Sequence, residues 1–400
     1  MPCANSGGWC RAMLATLVLT LAGPVWASGG EVGTPLVIDV RHDLTTLGIH
    51  ERNAAADGET NDSSPIQAAI DHAAGQEGGT VIVPEGVYRV AEIDVKPGVH
   101  LVGKGKDKTV FRTAGTSVML RPSGGRLSNF SAYGTPSEDV SGDNWQPGTG
   151  GVGRGGSATA LHIIGLYGGE DVHIDNVRAM ESRYDCLYTR GSTGLRVTNC
   201  HFDRAGRNIV SMVGDDKDFV IANTYIGPHW GLYHFDIEPD TRKGRNVRDG
   251  LIVNCTFDGR NREEFDTDTW GAMLIFTGGH EKGNHSVTVL GCNFLDIRVR
   301  IRGVFPNARF LYNEFDTNAT AFLKVRTNPV GEFEDAVVRG NRFLIRGEPA
   351  WIINDQVGFT GDSVFEGNFP EEFNDLEPDE PAGETDWGEE DHPVAVESPE

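Results

Sequence analysis

The chain has 400 residues, with 58 Asp and Glu against 35 Lys and Arg and a formal net charge of −23. That balance argues against a nucleic-acid partner, since phosphate binding needs the opposite field. The charge is unevenly spread: residues 371 to 400 hold thirteen Asp or Glu and no Lys or Arg, which leaves −10 on the other 370 residues.

In chain order, the first segment reads as a secretory signal over residues 1–27. Arg11 precedes an apolar run from Ala12 to Ala22, and Gly23-Pro24-Val25-Trp26-Ala27 puts small or apolar residues at the positions that specify a cut after Ala27. A run of 11 residues is too short to cross a bilayer. The expectation is therefore a secreted or periplasmic protein with no membrane span. Residues 28–60 read as an N-terminal extension. Ser64 then reads as an N-cap and Pro65 as the first helical residue, followed by an apolar face of Ile66, Ala69, Ile70 and Ala73 and a stop at Gly75. Strand patterns follow at Thr80–Pro84, Gly86–Val90 and Val99–Gly103.

Beyond these strands the chain repeats itself. Val197-Thr198-Asn199-Cys200-His201-Phe202 is echoed by Val253-Asn254-Cys255-Thr256-Phe257, Leu290-Gly291-Cys292-Asn293-Phe294, Tyr312-Asn313-Glu314-Phe315 and Gly340-Asn341-Arg342-Phe343. Counted from Ala179, the terminal positions fall at 202, 226, 257, 294, 315 and 343, in steps of 23, 24, 31, 37, 21 and 28. A minimum near 21 with variable excess is the pattern of a β-solenoid, in which short strands stack coil on coil and turns bulge freely. The fold expected is all-β, a parallel β-helix over residues 61–370 with a short N-terminal capping helix, followed by a disordered acidic tail over 371–400. Stacking predicts an interior Phe column and, beside it, a column of Cys200, Thr224, Cys255, Cys292, Asn313 and Asn341 that satisfies turn backbone groups. The cysteine spacing has no zinc-ligand pattern. Cys255 and Cys292 fall on neighbouring coils, where stacked thiols are favoured over a disulfide because buried ladder residues point inward in parallel.

The stretch "DGETNDSSPIQAAIDHAAGQEGGTVIVPEGVYRV…GVHLVGKG", from Asp57 to Gly105, resembles the opening of the pectate-lyase-like superfamily of right-handed parallel β-helix proteins. The resemblance implies three parallel sheets with a groove along one of them, usually for a polysaccharide. It spans lyases, hydrolases, epimerases, tailspikes and adhesins, so it does not settle the chemistry.

Aligned coils place one strand per turn after the Phe column, and period-two alternation sorts the faces. With Phe235 and Ile237 inward, His234, Asp236 and Glu238 point out; with Val299 and Ile301 inward, Arg298, Arg300 and Arg302 point out, as do Lys324 and Arg326. Acidic coils beside basic ones suit an anionic polysaccharide. β-Elimination at a uronate needs its carboxylate neutralised, a base for the C5 proton and a donor for the leaving oxygen. In this reading Asp236 and Glu238 hold a Ca²⁺, the only cofactor expected. Arg298, Arg300, Arg302, Lys324, His234 and Asp185 are the catalytic candidates, and Arg207, Asn208, His229, Trp145, Trp270 and Arg326 line the substrate. A solvated ladder of compensating charges is the alternative. A polygalacturonase-like hydrolase is disfavoured because the coil carrying Arg207-Asn208 lacks the acid pair, and Asp215-Asp216 falls past the strand in a turn. C5-epimerisation shares the proton abstraction, and a non-catalytic glycan-binding adhesin uses the same kind of groove.

Overall fold

A computed structural model describes residues 36–114, 119–134, 162–228, 233–239, 244–260, 273–277, 285–317, 321–324, 331–346 and 357–371. The expected signal, the acidic tail beyond Glu371 and most of the loops 134–157 and 259–270 lie outside them.

Short β-branched and aromatic runs separated by Gly, Asn or Asp form two parallel ladders, of 21 and 11 strands. In the larger ladder the strands Arg126–Tyr133 and His173–Ser182 run through a bend, at Asn129 and Asn176, whose φ values of 62° and 53° are left-handed. The same corner recurs at Asn199, Asn223 and Asn254, then Gly291, Tyr312, Gly340 and Gly367, all with positive φ. Asn and Gly tolerate that conformation best, and Asn side chains also bond along the corner, Asn254 to Asn223 at 2.7 Å and Asn176 to Asn129 at 2.8 Å. The bend splits the larger ladder into two faces, and the 11-stranded ladder supplies a third. The fold is a right-handed parallel β-helix.

The repeat count matches the strand register. Ala179 pairs with Phe202, then Ile226, Phe257, Phe294, Phe315 and Phe343 in succession. Inside, Phe257, Phe294 and Phe315 stack with centroids 4.9 and 4.4 Å apart and rings within 5° of parallel. Identical residues at identical heights on successive coils have no other choice of neighbour, which makes the column cooperative. The adjoining column forms as expected: the Cys292 amide donates to Asn313 Oδ1 at 2.9 Å, Asn313 to Asn341 Oδ1 at 2.9 Å, and Asn341 to Asn368 Oδ1 at 2.9 Å. Cys255 and Cys292 are buried free thiols, stacked with the Cys255 amide 3.4 Å from Cys292 Sγ.

At the N-terminal end the structure differs from expectation in two ways. The helix is Ser63–Gly75 and its N-cap residue is Asp62, not Ser64. The buried Asp62 carboxylate accepts the amides of Ala55 and Ala56 at 2.8 and 2.9 Å and pairs with Arg52, tying the preceding segment down. The ladder also begins before residue 61, because Val37–Asp39 pairs with Gly79–Val83 and Asp57–Asn61 with Gly86–Val90. The helix still serves as the cap, burying Pro65, Ile66, Ala69, Ile70 and Ala73.

Candidate functional site

The site lies on the outer face of the 11-stranded ladder, where register decides which side chains share a column. Gly165, Tyr188, Ser211, Asp236, Ile275 and Arg300 follow one another across successive strands. Asp185 sits at the turn into Leu187–Arg190 and is fully buried. Arg207, one coil on, donates from Nε to Asp185 Oδ1 at 2.9 Å and from Nη2 to Oδ2, while the Asn208 amide adds a bond to Oδ1 at 3.0 Å. His162 Nδ1 lies 3.2 Å from Oδ2. Burial alone would raise the Asp185 pKa, but the Arg207 guanidinium and His162 hold it well below the usual carboxylate range. Burial depresses the basicity of His162, whose ring stacks on Tyr188 at 4.4 Å between centroids. Arg207 keeps 27 % of its side chain exposed and lies 5.7 Å from the Tyr188 centroid and 6.0 Å from that of Tyr184. This is a fixed guanidinium with one side locked by a carboxylate and the other open to a ligand.

Asp236 is the second feature. Its side chain is buried, Asn208 Nδ2 donates to its Oδ2 at 3.0 Å, and its Oδ1 is buried without a hydrogen-bond partner. Burial pushes its pKa well above the carboxylate range, Glu238 adds to the rise, and Arg207 opposes it. Burial thus favours the protonated form, in which the carboxyl is a donor as well as an acceptor. Asn208 also donates to Ser211 Oγ at 3.0 Å, so the amide is oriented by two partners.

Of the residues expected from sequence, the fold brings Asp185, Arg207, Asn208 and Asp236 together, with Glu238 exposed at the end of the same strand as Asp236. His234 does not face solvent: it is fully buried and its Nε2 donates to the Asp258 carbonyl at 2.9 Å, which makes it part of the packing. Arg298 and Arg300 do not adjoin the acidic strand, because Met273–Thr277 pairs between them and Tyr233–Glu238. Val299 and Ile301 face inward as expected, yet Arg300 is only 6 % exposed. Arg302 and Lys324 take their places in the ladder at the register positions of Thr277 and Ile301. His229, Trp145, Trp270 and Arg326 lie outside the described residues. Asp216, the residue set aside as a turn, turns inward, taking the Ser192 amide and hydroxyl at 2.7 and 2.6 Å and the Thr189 hydroxyl at 2.9 Å.

Sequence reasoning missed His162, Tyr184, Tyr188 and Ser211. The spacing of Tyr184 and Tyr188 around Asp185 was visible, but His162 follows a long insertion that hides its coil from the repeat count. The Ca²⁺ expectation rests on Asp236 and Glu238 alone among these residues. Calcium takes six to eight oxygens, whereas Asp236 Oδ2 accepts from Asn208 and among the described residues no group of three or more His, Cys, Asp or Glu is placed to hold a metal.

The parallel ladders and the helical cap define a parallel β-helix, and comparison with known proteins agrees on that fold. A family model described as "Rhamnogalacturonase A/epimerase, pectate lyase-like" matches residues 48–147. The chain is 36% identical over 96 residues to a mannuronan C5-epimerase, AlgE1, of Azotobacter vinelandii, covering 20% of this chain and 7% of that protein. It is 27% identical over 340 residues to the plasmin and fibronectin-binding protein A of Streptococcus pneumoniae, covering 80% of this chain and 42% of that one. The chain thus spans less than half the length of either relative. Among solved structures it is similar to PfbA, a surface adhesin of Streptococcus pneumoniae, with a TM-score of 0.58 at 15% identity, over 83% of this chain and 84% of that one. The solved-structure likeness agrees with the parallel β-helix fold, and the pectate-lyase-like family match covers a quarter of the chain near its N-terminus. No helix among the described residues is long and apolar enough to cross a membrane.

Proposed function

We propose that the protein is an exported carbohydrate-active enzyme that abstracts the C5 proton of a uronate in an anionic polysaccharide, with β-elimination as the outcome. The observation that carries this reading is the buried Asp236, whose Oδ1 has no hydrogen-bond partner, beside Asn208 and the Arg207 guanidinium. The acid, favoured in its protonated form by burial, and the clamped cation form a donor set for a sugar carboxylate, with Asn208 holding the acid in place, and their bonds strengthen as C5 deprotonation moves charge onto its oxygens. Glu238 carries the negative charge of the acid pair on the exposed side and is the group to accept the C5 proton. Tyr188, whose pKa burial pushes up to about 12, stays protonated and supplies the donor for the leaving oxygen.

The test is incubation with a panel of polyuronates. A lyase generates an unsaturated uronate absorbing in the ultraviolet, and Asp236→Ala abolishes it; reducing ends without unsaturation move the assignment to a hydrolase, and C5 inversion without chain cleavage to an epimerase. A second reading, a non-catalytic surface adhesin, is favoured by the 340-residue similarity to a plasmin and fibronectin-binding protein. Absence of any new ends or altered sugars across the panel decides for it.

A further inference from the structure

The outer face of the short ladder does not end at Tyr188. Towards the N-terminal cap, Tyr167 lies 5.5 Å from Tyr188 between ring centroids, and the guanidinium of Arg121 sits 6.0 Å from the centroid of Tyr167. Leu120 pairs with Ile164, which in turn pairs with Leu187, so Arg121 and Tyr188 stand on the same outward side of the ladder, separated by the strand that carries Gly165 and Tyr167. From Arg207 to Arg121 there is thus an unbroken strip of guanidinium, phenol rings and guanidinium, lying across the strands and along the axis of the helix. Tyr167 is 45 % exposed, an exposure shared among the described aromatic rings with Tyr312 and Phe369 while most of the others are interior. At the far end Arg121 pairs with both Glu92 and Asp94, each about half exposed. That end holds two carboxylates for one guanidinium.

We propose that this strip is an extension of the saccharide site, in which Tyr167 and Tyr188 are platforms for sugar rings and Arg121, Glu92 and Asp94 bind the hydroxyls of an uncharged sugar. The inference rests on the uronate reading of the Asp236 and Arg207 end. Strands in a ladder are about 4.8 Å apart, and Asp236 stands four strands from Arg121, so the strip spans roughly 19 Å, the length of several linked sugars. Phenol faces give a sugar ring a large, rigid apolar contact while the hydroxyls keep their polar partners. The two carboxylates that flank Arg121 repel a uronate and accept hydroxyl hydrogens, whereas at the other end the exposed side of the Arg207 guanidinium, away from Asp185, admits one. The preferred substrate is therefore a polymer in which uronates alternate with neutral sugars, bound with a neutral residue towards the cap.

The experiment uses the full chain and titration calorimetry with two probe sets, oligogalacturonates and hyaluronan oligosaccharides, each as disaccharide and hexasaccharide. Tyr167 and Arg121 are surface residues, so Tyr167→Ala and Arg121→Ala leave the fold intact, checked by unchanged thermal midpoints. Loss of a stacking platform is expected to weaken hexasaccharide binding about tenfold and leave disaccharide binding, centred at Asp236, unchanged. The hyaluronan hexasaccharide is expected to bind more tightly than the oligogalacturonate of the same length, and Glu92→Gln with Asp94→Asn to erase the difference. Equal hexasaccharide affinity in wild type and Tyr167→Ala overturns the strip, and tighter binding of the all-uronate hexasaccharide overturns the neutral-sugar end. Failure of the underlying reading looks different: the disaccharide then binds as well to Asp236→Ala as to wild type, or no uronate probe binds at all.

Discussion

Asp185→Ala tests the centre of the site and its cost to the fold together. The substitution removes the acceptor for two Arg207 bonds and the Asn208 amide, and the partner of His162. It leaves a cation whose guanidinium was held against a fully buried carboxylate. Breaking a buried pair from one side costs about 3–5 kcal/mol. For a domain of about 300 residues, at ~2.1 cal/mol/K per residue, each kcal/mol moves the thermal midpoint by about 1.6 °C, so a fall of roughly 5–8 °C is expected by circular dichroism. Because each coil rests mainly on its neighbours, protection from proteolysis is lost first around residues 162–213. Asp185→Ala with Arg207→Met removes both charges and restores most of the midpoint, since replacing a buried pair by apolar groups is often neutral. The carboxyl is held below its usual range, so its stabilisation is full above the unfolded-state pKa and is lost as pH falls through the lower folded value. The wild-type advantage over Asp185→Ala accordingly shrinks in strong acid. A midpoint within 1–2 °C of wild type near neutral pH, or a double variant less stable than the single one, would refute the reasoning.

Three further outcomes follow from the coils. Burial raises the Asp216 pKa to about 6 against bonds from Ser192 and Thr189; a raised acid favours the folded state below its unfolded pKa and loses that advantage as pH rises. Between pH ~4 and ~6 the wild type therefore gives up about 3 kcal/mol relative to Asp216→Asn, and parallel pH profiles of the two unfolding midpoints would contradict this. Asn341→Ala strips the acceptor for the Asn313 amide and side chain and the donor to the Phe310 carbonyl. The expected loss is about 3 kcal/mol, measured by denaturant unfolding, with Asn341→Cys milder because thiols already fill this column at Cys255 and Cys292. In Gly250→Ala the new Cβ would meet the buried Phe219 ring at 2.1 Å, so a loss of about 1–3 kcal/mol is expected from overpacking, and an unchanged midpoint would show that the ring moves freely.

The architecture was legible because a β-helix writes its register into the chain. Each coil must place a bulky residue at one height and a turn-satisfying residue beside it, so the Phe and Cys/Asn columns appear as a repeat that any long-range contact merely confirms. Period-two alternation likewise sorted Phe235 and Ile237 from Asp236, and Val299 and Ile301 from Arg300, because in a strand the inward choice is local. What alternation cannot report is burial on the outer face. His234 and Arg300 point away from the core and yet are covered, since covering depends on neighbouring coils and turns. The helix start moved to Ser63 for a similar reason: the Asp62 carboxylate is taken by amides seven and six residues back, a tertiary demand that local capping preferences do not contain. The site itself was decided by coil spacing. Asp185 meets Arg207 because 22 residues make one coil at that point, whereas the coil holding Met273–Thr277 intervenes between Asp236 and the arginines of the next strand. Sequence carried the kinds of residue and the face; the number of coils between them, and the loss of water that favours a protonated Asp236 beside Asn208, belong to the tertiary structure, because desolvation is a property of everything packed around a group and not of the group.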